Sequence, residues 1–126
     1  MTRPVTPFAK RLAQFQVTLM LLTRLPAGRI TGDVPTMGST TWAWPLVGLV
    51  TGTLSALAFS IAISVGLPPL IAAILALATG ILATGGMHED GLADLADGFG
   101  GGTTRDEKLR IMRDSAIGSY GTMALI

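Results

Sequence analysis

From Val34 to His88 the chain carries no Lys, Arg, Asp or Glu. An uncharged run of that length limits the chain more than any other feature. In hydrocarbon every backbone N–H and C=O must be satisfied within the segment, so the run has to be helical, with about 20 apolar residues needed per crossing. The whole composition agrees: hydrophobic residues make up 49% and charged ones 13%, against about 25% charged in soluble domains. A fully buried soluble hairpin is the bland alternative, and the uncharged length disfavours it.

Within the run, residues 42 to 66 form one expected span, and Trp42 and Trp44 stand at its start, where an interfacial aromatic belt belongs. Leu67-Pro68-Pro69 breaks the helix, and a second span is expected from Pro69 to Thr84. Gly48, Gly52, Ala56, Ser60 and Ser64 recur every four residues along the first; Ala72, Ala76, Gly80 and Thr84 do so along the second. Lipid supplies no hydrophobic push between helices, so small faces that permit close approach predict a tight transmembrane hairpin over residues 42–86.

Residues 1–35 hold Arg3, Lys10 and Arg11 and an apolar face of Phe8, Leu12, Phe15, Leu19 and Leu22, interrupted by Gln14 and Gln16. The apolar part is too short to span, so the expectation is an amphipathic helix lying in the membrane interface. A secretory leader would need a small-x-small cleavage pattern, and none follows at a sensible distance. By the positive-inside rule this basic segment is cytoplasmic, and two crossings return the chain to the same side. The acidic stretch from Glu89 onward is then cytoplasmic as well.

That stretch, Gly86-Met87-His88-Glu89-Asp90-Gly91-Leu92-Ala93-Asp94-Leu95-Ala96-Asp97-Gly98, carries four of the chain's eight acids. On a helix turning 100° per residue, Asp90, Asp94 and Asp97 share an arc of about 60°, with Glu89 off it and His88 nearly opposite. Acids near a helix N-terminus can simply complement the dipole. That covers Glu89 or Asp90, but not Asp94 and Asp97 one and two turns later. Three carboxylates in one stripe suit a hard divalent cation, Mg²⁺ with Mn²⁺ as the alternative, which takes carboxylate and phosphate oxygens. With no Cys and a single His, thiolate chemistry and His-rich metal sites are excluded. His88 is either a phosphate contact or base, or an interfacial hydrogen-bonder.

Gly98-Phe99-Gly100-Gly101-Gly102 is expected to break the helix and act as a lid or linker. It is no Walker loop, since no Lys-Ser/Thr follows in register. Thr104-Arg105-Asp106-Glu107 predicts a capping box opening a second helix that carries Arg105, Lys108, Arg110 and Arg113. These cations are either a solvated face or a clamp on a diphosphate. Asp114 follows, and residues 115–126 look like the start of a third span that stops too soon to cross. The chain is therefore expected to be the N-terminal part of a longer protein: an all-α, polytopic membrane bundle with residues 87–114 as its cytoplasmic catalytic segment.

The acidic motif above, together with Ile111-Met112-Arg113-Asp114-Ser115-Ala116-Ile117-Gly118-Ser119-Tyr120-Gly121, closely resembles the cobalamin synthase family. Leu22-Thr23-Arg24-Leu25-Pro26 and Trp44-Pro45-Leu46-Val47-Gly48 look like that family's N-terminal landmarks. The resemblance runs the whole length but covers about the first half of a typical member. It implies an inner-membrane transferase of bacterial coenzyme B12 assembly, in which α-ribazole, or its 5′-phosphate, displaces GMP from adenosylcobinamide-GDP with the help of a divalent metal. On that reading Asp90, Asp94 and Asp97 are the ligands, or one of them (Asp97 first) the base. Asp114 is a further ligand or arginine-orienting group, and Arg105, Lys108, Arg110, Arg113 and His88 are phosphate contacts. The other partners expected are the lipid bilayer, the C-terminal half of the same chain and a second copy in a homo-oligomer, with no nucleic acid. A CDP-alcohol phosphotransferase also sets aspartates at a membrane helix end, but its signature has Ala-Arg after the first glycine, absent after Gly91. A non-enzymatic divalent-cation-binding membrane protein, such as a carrier, would hold its carboxylates at mid-membrane depth, not after the hydrophobic run.

Overall fold

The computed structural model describes residues 6–30 and 32–126, and among these every regular element is helical. Arg3, one of the basic residues assigned to the membrane interface, lies outside the described residues. The chain divides into two compact units that meet at Gly85 and Gly86.

In the first unit, α1 (Pro7–Leu22) starts where the hydroxyl of Thr6 accepts the amide of Ala9 and Pro7 occupies the first turn. It stops at Thr23, whose hydroxyl and amide both return to the carbonyl of Leu19. The side of α1 turned inward is the polar one: Gln14 and Thr18 are buried, while Phe8, Leu12 and Met20 are exposed. Gln14, which interrupts the apolar face in the sequence, is the contact residue. Its Oε1 accepts the indole N–H of Trp42 at 2.9 Å and Nη1 of Arg11 at 3.3 Å, and the Arg11 guanidinium lies 5.0 Å over the Trp42 ring. The Gln16 side chain donates to the carbonyl of Ala27 at 3.1 Å, tying the connector back onto α1.

A short helix, α2 (Met37–Thr40), runs through one 3₁₀ turn into α3 (Trp44–Ser64). Together Met37–Ser64 form a 28-residue helix long and apolar enough to cross a membrane, with 11% of its apolar window buried within the chain. A soluble core helix would be mostly covered. After the break at Leu67-Pro68, α4 (Pro69–Thr84) packs along α3. At 16 residues it is about 24 Å long, short of the roughly 30 Å hydrocarbon core when taken by itself.

The packing of this pair is half as expected. On α4 the small face serves, with Ala72 and Ala83 buried and Gly80 so close to α3 that a Cβ there would meet Ser55 Oγ at 3.0 Å. On α3 the stripe of Gly48, Gly52, Ala56, Ser60 and Ser64 is exposed or nearly so, and nothing lies within 4 Å of a Cβ at Gly48 or Gly52. The buried residues of α3 are instead Val47 and Ala62, and Ser55 is the one that meets Gly80. A four-residue spacing drifts around a helix of 3.6 residues per turn, so the straight contact line follows threes and fours in alternation. The larger apolar side chains of this unit face outward, Leu70 at 72% and Leu82 at 73% exposure among them.

Gly85 and Gly86 both adopt φ near +75° (73° and 75°), the left-handed conformation that ends α4 and opens the next helix. A side chain at Gly85 would also collide with Arg24, whose amide donates to the carbonyl of Ala83 at 2.8 Å.

The second unit contains α5 (Met87–Gly101), α6 (Arg105–Ile111) and α7 (Ser119–Leu125). Here the expectation of a broken helix and a glycine lid is corrected, for α5 continues through Gly98, Phe99 and Gly100 to Gly101. Each glycine costs a helix about 1 kcal/mol relative to Ala, yet here the missing side chains are space for neighbours. Met112 Cε would lie 2.6 Å from a Cβ on Gly98, the Tyr120 ring fills the place of one on Gly100, and the Lys108 amide is 2.8 Å from one on Gly102. The glycines are a seat for α6 and α7. The capping box of α6 is present as expected, Thr104 Oγ1 accepting the Glu107 amide and Glu107 accepting the Thr103 and Thr104 amides. Arg113 is not on that helix, which ends at Ile111, but in the turn beyond it.

Candidate active site

Asp90, Asp94 and Asp97 all fall on α5, and their burial rises along the stripe: Asp90 is exposed, Asp94 half-buried, Asp97 buried at 8% exposure. The fold divides the trio. Asp97 accepts the amide of Gly118 at 2.7 Å through Oδ2 and that of Gly121 at 2.8 Å through Oδ1. Each oxygen thus accepts one backbone N–H, and Asp97 is bound to the start of α7, away from the other two. Among the described residues, no three His, Asp or Glu side chains are grouped so as to hold a metal ion.

Asp90 and Asp94 instead border a cleft of about 330 Å³ inside this unit. Its opposite wall is the bend joining α6 to α7, with Arg113, Asp114 and Ile117. Ala93 lies on the α5 side of the cleft, and Gly91, outside its lining, has no atom within 4 Å of a Cβ placed there. Asp114 uses Oδ1 to accept the Ala116 amide at 3.1 Å, which fixes the bend locally and leaves Oδ2 available. Arg110 and Arg113 also line a shallower groove with Asp106, Leu109 and Asp114.

The other two cations of the basic segment lie elsewhere. Lys108 sits 4.4 Å over the Phe99 ring in a cation–π contact. Arg105 occupies the first turn of α6, lining neither the cleft nor the groove. His88 is exposed in the first turn of α5 and likewise lines neither. Glu107, fully exposed, has its pKa lowered from 4.5 to about 2, mainly by the Thr103 hydroxyl and then by the Thr104 and Thr103 amides.

Sequence reasoning missed two features. Gly118 and Gly121 act through their amides, and the only sequence signal is the spacing of two glycines around a helix start. Glu89, set aside because it leaves the arc, has Oε2 buried with no hydrogen-bond partner among the described residues.

Among the described residues the fold is helical, with one helix long and apolar enough to cross a membrane and a unit in which carboxylates and an arginine line one cleft. The chain belongs to the family described as cobalamin-5-phosphate synthase (CobS), whose profile matches residues 14–126. It is 49% identical over 116 residues to the adenosylcobinamide-GDP ribazoletransferase of Bradyrhizobium diazoefficiens, covering 91% of this chain and 45% of that protein. Proteins of the same name from Mesorhizobium japonicum and Shewanella oneidensis are 49% identical over 107 residues and 46% over 118. These cover 85% and 93% of this chain and 41% and 45% of the relatives. The chain thus spans a little under half the length of the curated relatives it matches. No solved structure matches it.

Proposed function

We propose that this chain is the acid-bearing part of a membrane transferase that joins adenosylcobinamide-GDP to α-ribazole or its 5′-phosphate. The products are adenosylcobalamin or its 5′-phosphate, and GMP. The observation that carries this reading is the cleft that gathers Asp90, Asp94, Arg113 and Asp114 in a chain of this family. In the reaction the attacking hydroxyl oxygen bonds to the phosphorus on the cobinamide side, the P–O bond to GMP breaks, and GMP leaves with the electron pair. The hydroxyl proton passes to a carboxylate of the cleft. Arg113 neutralises charge on the diphosphate, with Arg110 along the adjoining groove.

The donor set fits Mg²⁺, or Mn²⁺, in a reduced form. Asp90 and Asp94 are one helical turn apart on the cleft wall, and such ions are commonly held by one or two carboxylates plus substrate phosphate oxygens. Asp97 does not line the cleft and is left out of this reduced set. When bound, the ion would polarise the phosphoryl oxygens and stabilise the departing phosphate.

The same reading places Met37–Ser64 across the membrane, α4 in the bilayer beside it, and α1 in the interface. With α4 as a short return crossing, the basic N-terminal segment and the cleft both face the cytoplasm of a bacterial inner membrane. The outward apolar side chains of α3 and α4 and the inward polar side of α1 support this, being the inverse of a soluble packing.

The test is GMP release from adenosylcobinamide-GDP by the complete protein in lipid, with and without α-ribazole and Mg²⁺. Asp94→Asn should lower the rate by about a hundredfold or more while leaving membrane insertion intact. Normal turnover by that variant would remove Asp94 from the site.

A further inference from the structure

We infer that Asp97 is a positioning residue that clasps the start of α7 and thereby sets the wall of the cleft facing Asp90 and Asp94. This rests on the functional reading above for its catalytic consequence, and on hydrogen-bond geometry for the clasp itself.

The two oxygens of Asp97 receive two amides three residues apart, Gly118 at the N-cap of α7 and Gly121 within it. The first amides of a helix have no intrahelical acceptor, so a carboxylate from another element satisfies them and gains from the helix dipole. The site is built around that carboxylate. A Cβ on Gly118 would land on it, every atom nearest to it belonging to the Asp97 side chain. One on Gly121 would strike the same group and lie 3.0 Å from the Ala93 carbonyl. Gly118 has φ −92°, where any residue is comfortable, so its glycine is required by space alone.

The bend bearing Arg113 and Asp114 is consequently held at both ends on neighbouring residues of α5. Met112 sits on Gly98 at one end, and Gly118 is held by Asp97 at the other. Between those two fixings lie Arg113 to Ile117, which form the far wall of the cleft. Asp97 therefore acts on the chemistry through the placement of Arg113 and Asp114.

Two kinds of variant separate a clasp from a metal ligand. Asp97→Asn keeps the shape but offers one acceptor where two N–H groups point. Gly118→Ala adds no chemistry and displaces the carboxylate. In the complete protein in nanodiscs, both should lower kcat by about tenfold or more, with Mn²⁺ affinity by paramagnetic resonance changed less than about threefold. Both should speed hydrogen exchange of the Gly118 and Gly121 amides by about tenfold or more. Gly118→Ala should cost little further in an Asp97→Ala background, where its Cβ has room, so the two changes are non-additive. A tenfold loss of Mn²⁺ affinity in Asp97→Asn but not in Gly118→Ala would overturn the clasp in favour of ligation. Unchanged kcat per folded molecule, with only a lower melting temperature, would reduce Asp97 to a structural residue and overturn the positioning role. If the wild-type protein releases no GMP, the functional reading fails. The exchange rates and the stability cycle then decide the clasp by themselves, and unaltered exchange would refute it.

Discussion

Aspartate serves two purposes within one turn of α5. Asp94 faces a cleft and Asp97 accepts two backbone amides, although both lie on the same side of the helix. Side-chain direction follows from the helical period, but whether a carboxylate is open depends on what packs over it. Glu107 shows the same principle at the surface. Its carboxylate accepts the Thr103 hydroxyl and amide and the Thr104 amide, and its pKa is lowered to about 2. A group whose folded pKa lies below its unfolded value stabilises the fold above the unfolded value and loses that contribution as pH falls. The cap of α6 should therefore be intact at neutral pH and weaken between pH 4.5 and about 2. Following the Thr103 and Thr104 amide resonances through an acid titration checks this. Glu107→Gln should abolish the dependence, and a midpoint near 4.5 in the wild type would contradict the hydrogen-bonded cap.

Glycine makes the corresponding point for whole elements. Composition alone predicts that Gly98 to Gly102 cannot sustain a helix, and helix propensity supports that expectation. The helix persists because α6 and α7 fill the absent side chains' space, with Tyr120 on Gly100 and Met112 on Gly98. Propensity counts about 1 kcal/mol per glycine, whereas overfilling a packed contact costs about 1–3 kcal/mol. Gly100→Ala should therefore destabilise the second unit despite raising helix propensity. In a Tyr120→Ala background the same change should turn stabilising. Denaturant melts of the wild type and the three variants would show this sign reversal, and stabilisation by Gly100→Ala alone would mean Tyr120 moves aside freely. The α3 stripe of small residues illustrates the reverse case. Its spacing was legible, but burial on α3 falls on Val47 and Ala62, and α4 approaches at Ser55.

For the whole molecule, the proposed topology makes the loop after α5 cytoplasmic. These 126 residues have no cysteine, so Thr103→Cys, read against the parent protein, would place a reporter thiol at an exposed position. An impermeant maleimide should fail to label it in intact spheroplasts and label it after lysis. Reaction from outside would refute the arrangement of spans. The helical class, the membrane-length helix, the break at Leu67-Pro68, the Thr104–Glu107 cap and the family itself were all legible in the sequence. Each depends on local spacing, composition or a contiguous motif, which a linear string carries in full. Three outcomes needed the folded chain: the turning inward of Gln14, the glycine seat on α5, and the division of Asp97 from Asp90 and Asp94. All three arise from contacts between residues far apart in sequence, Gln14 with Trp42, Gly100 with Tyr120, Asp97 with Gly118 and Gly121. Periodicity states which way a side chain points, and only the packed structure decides what it meets there.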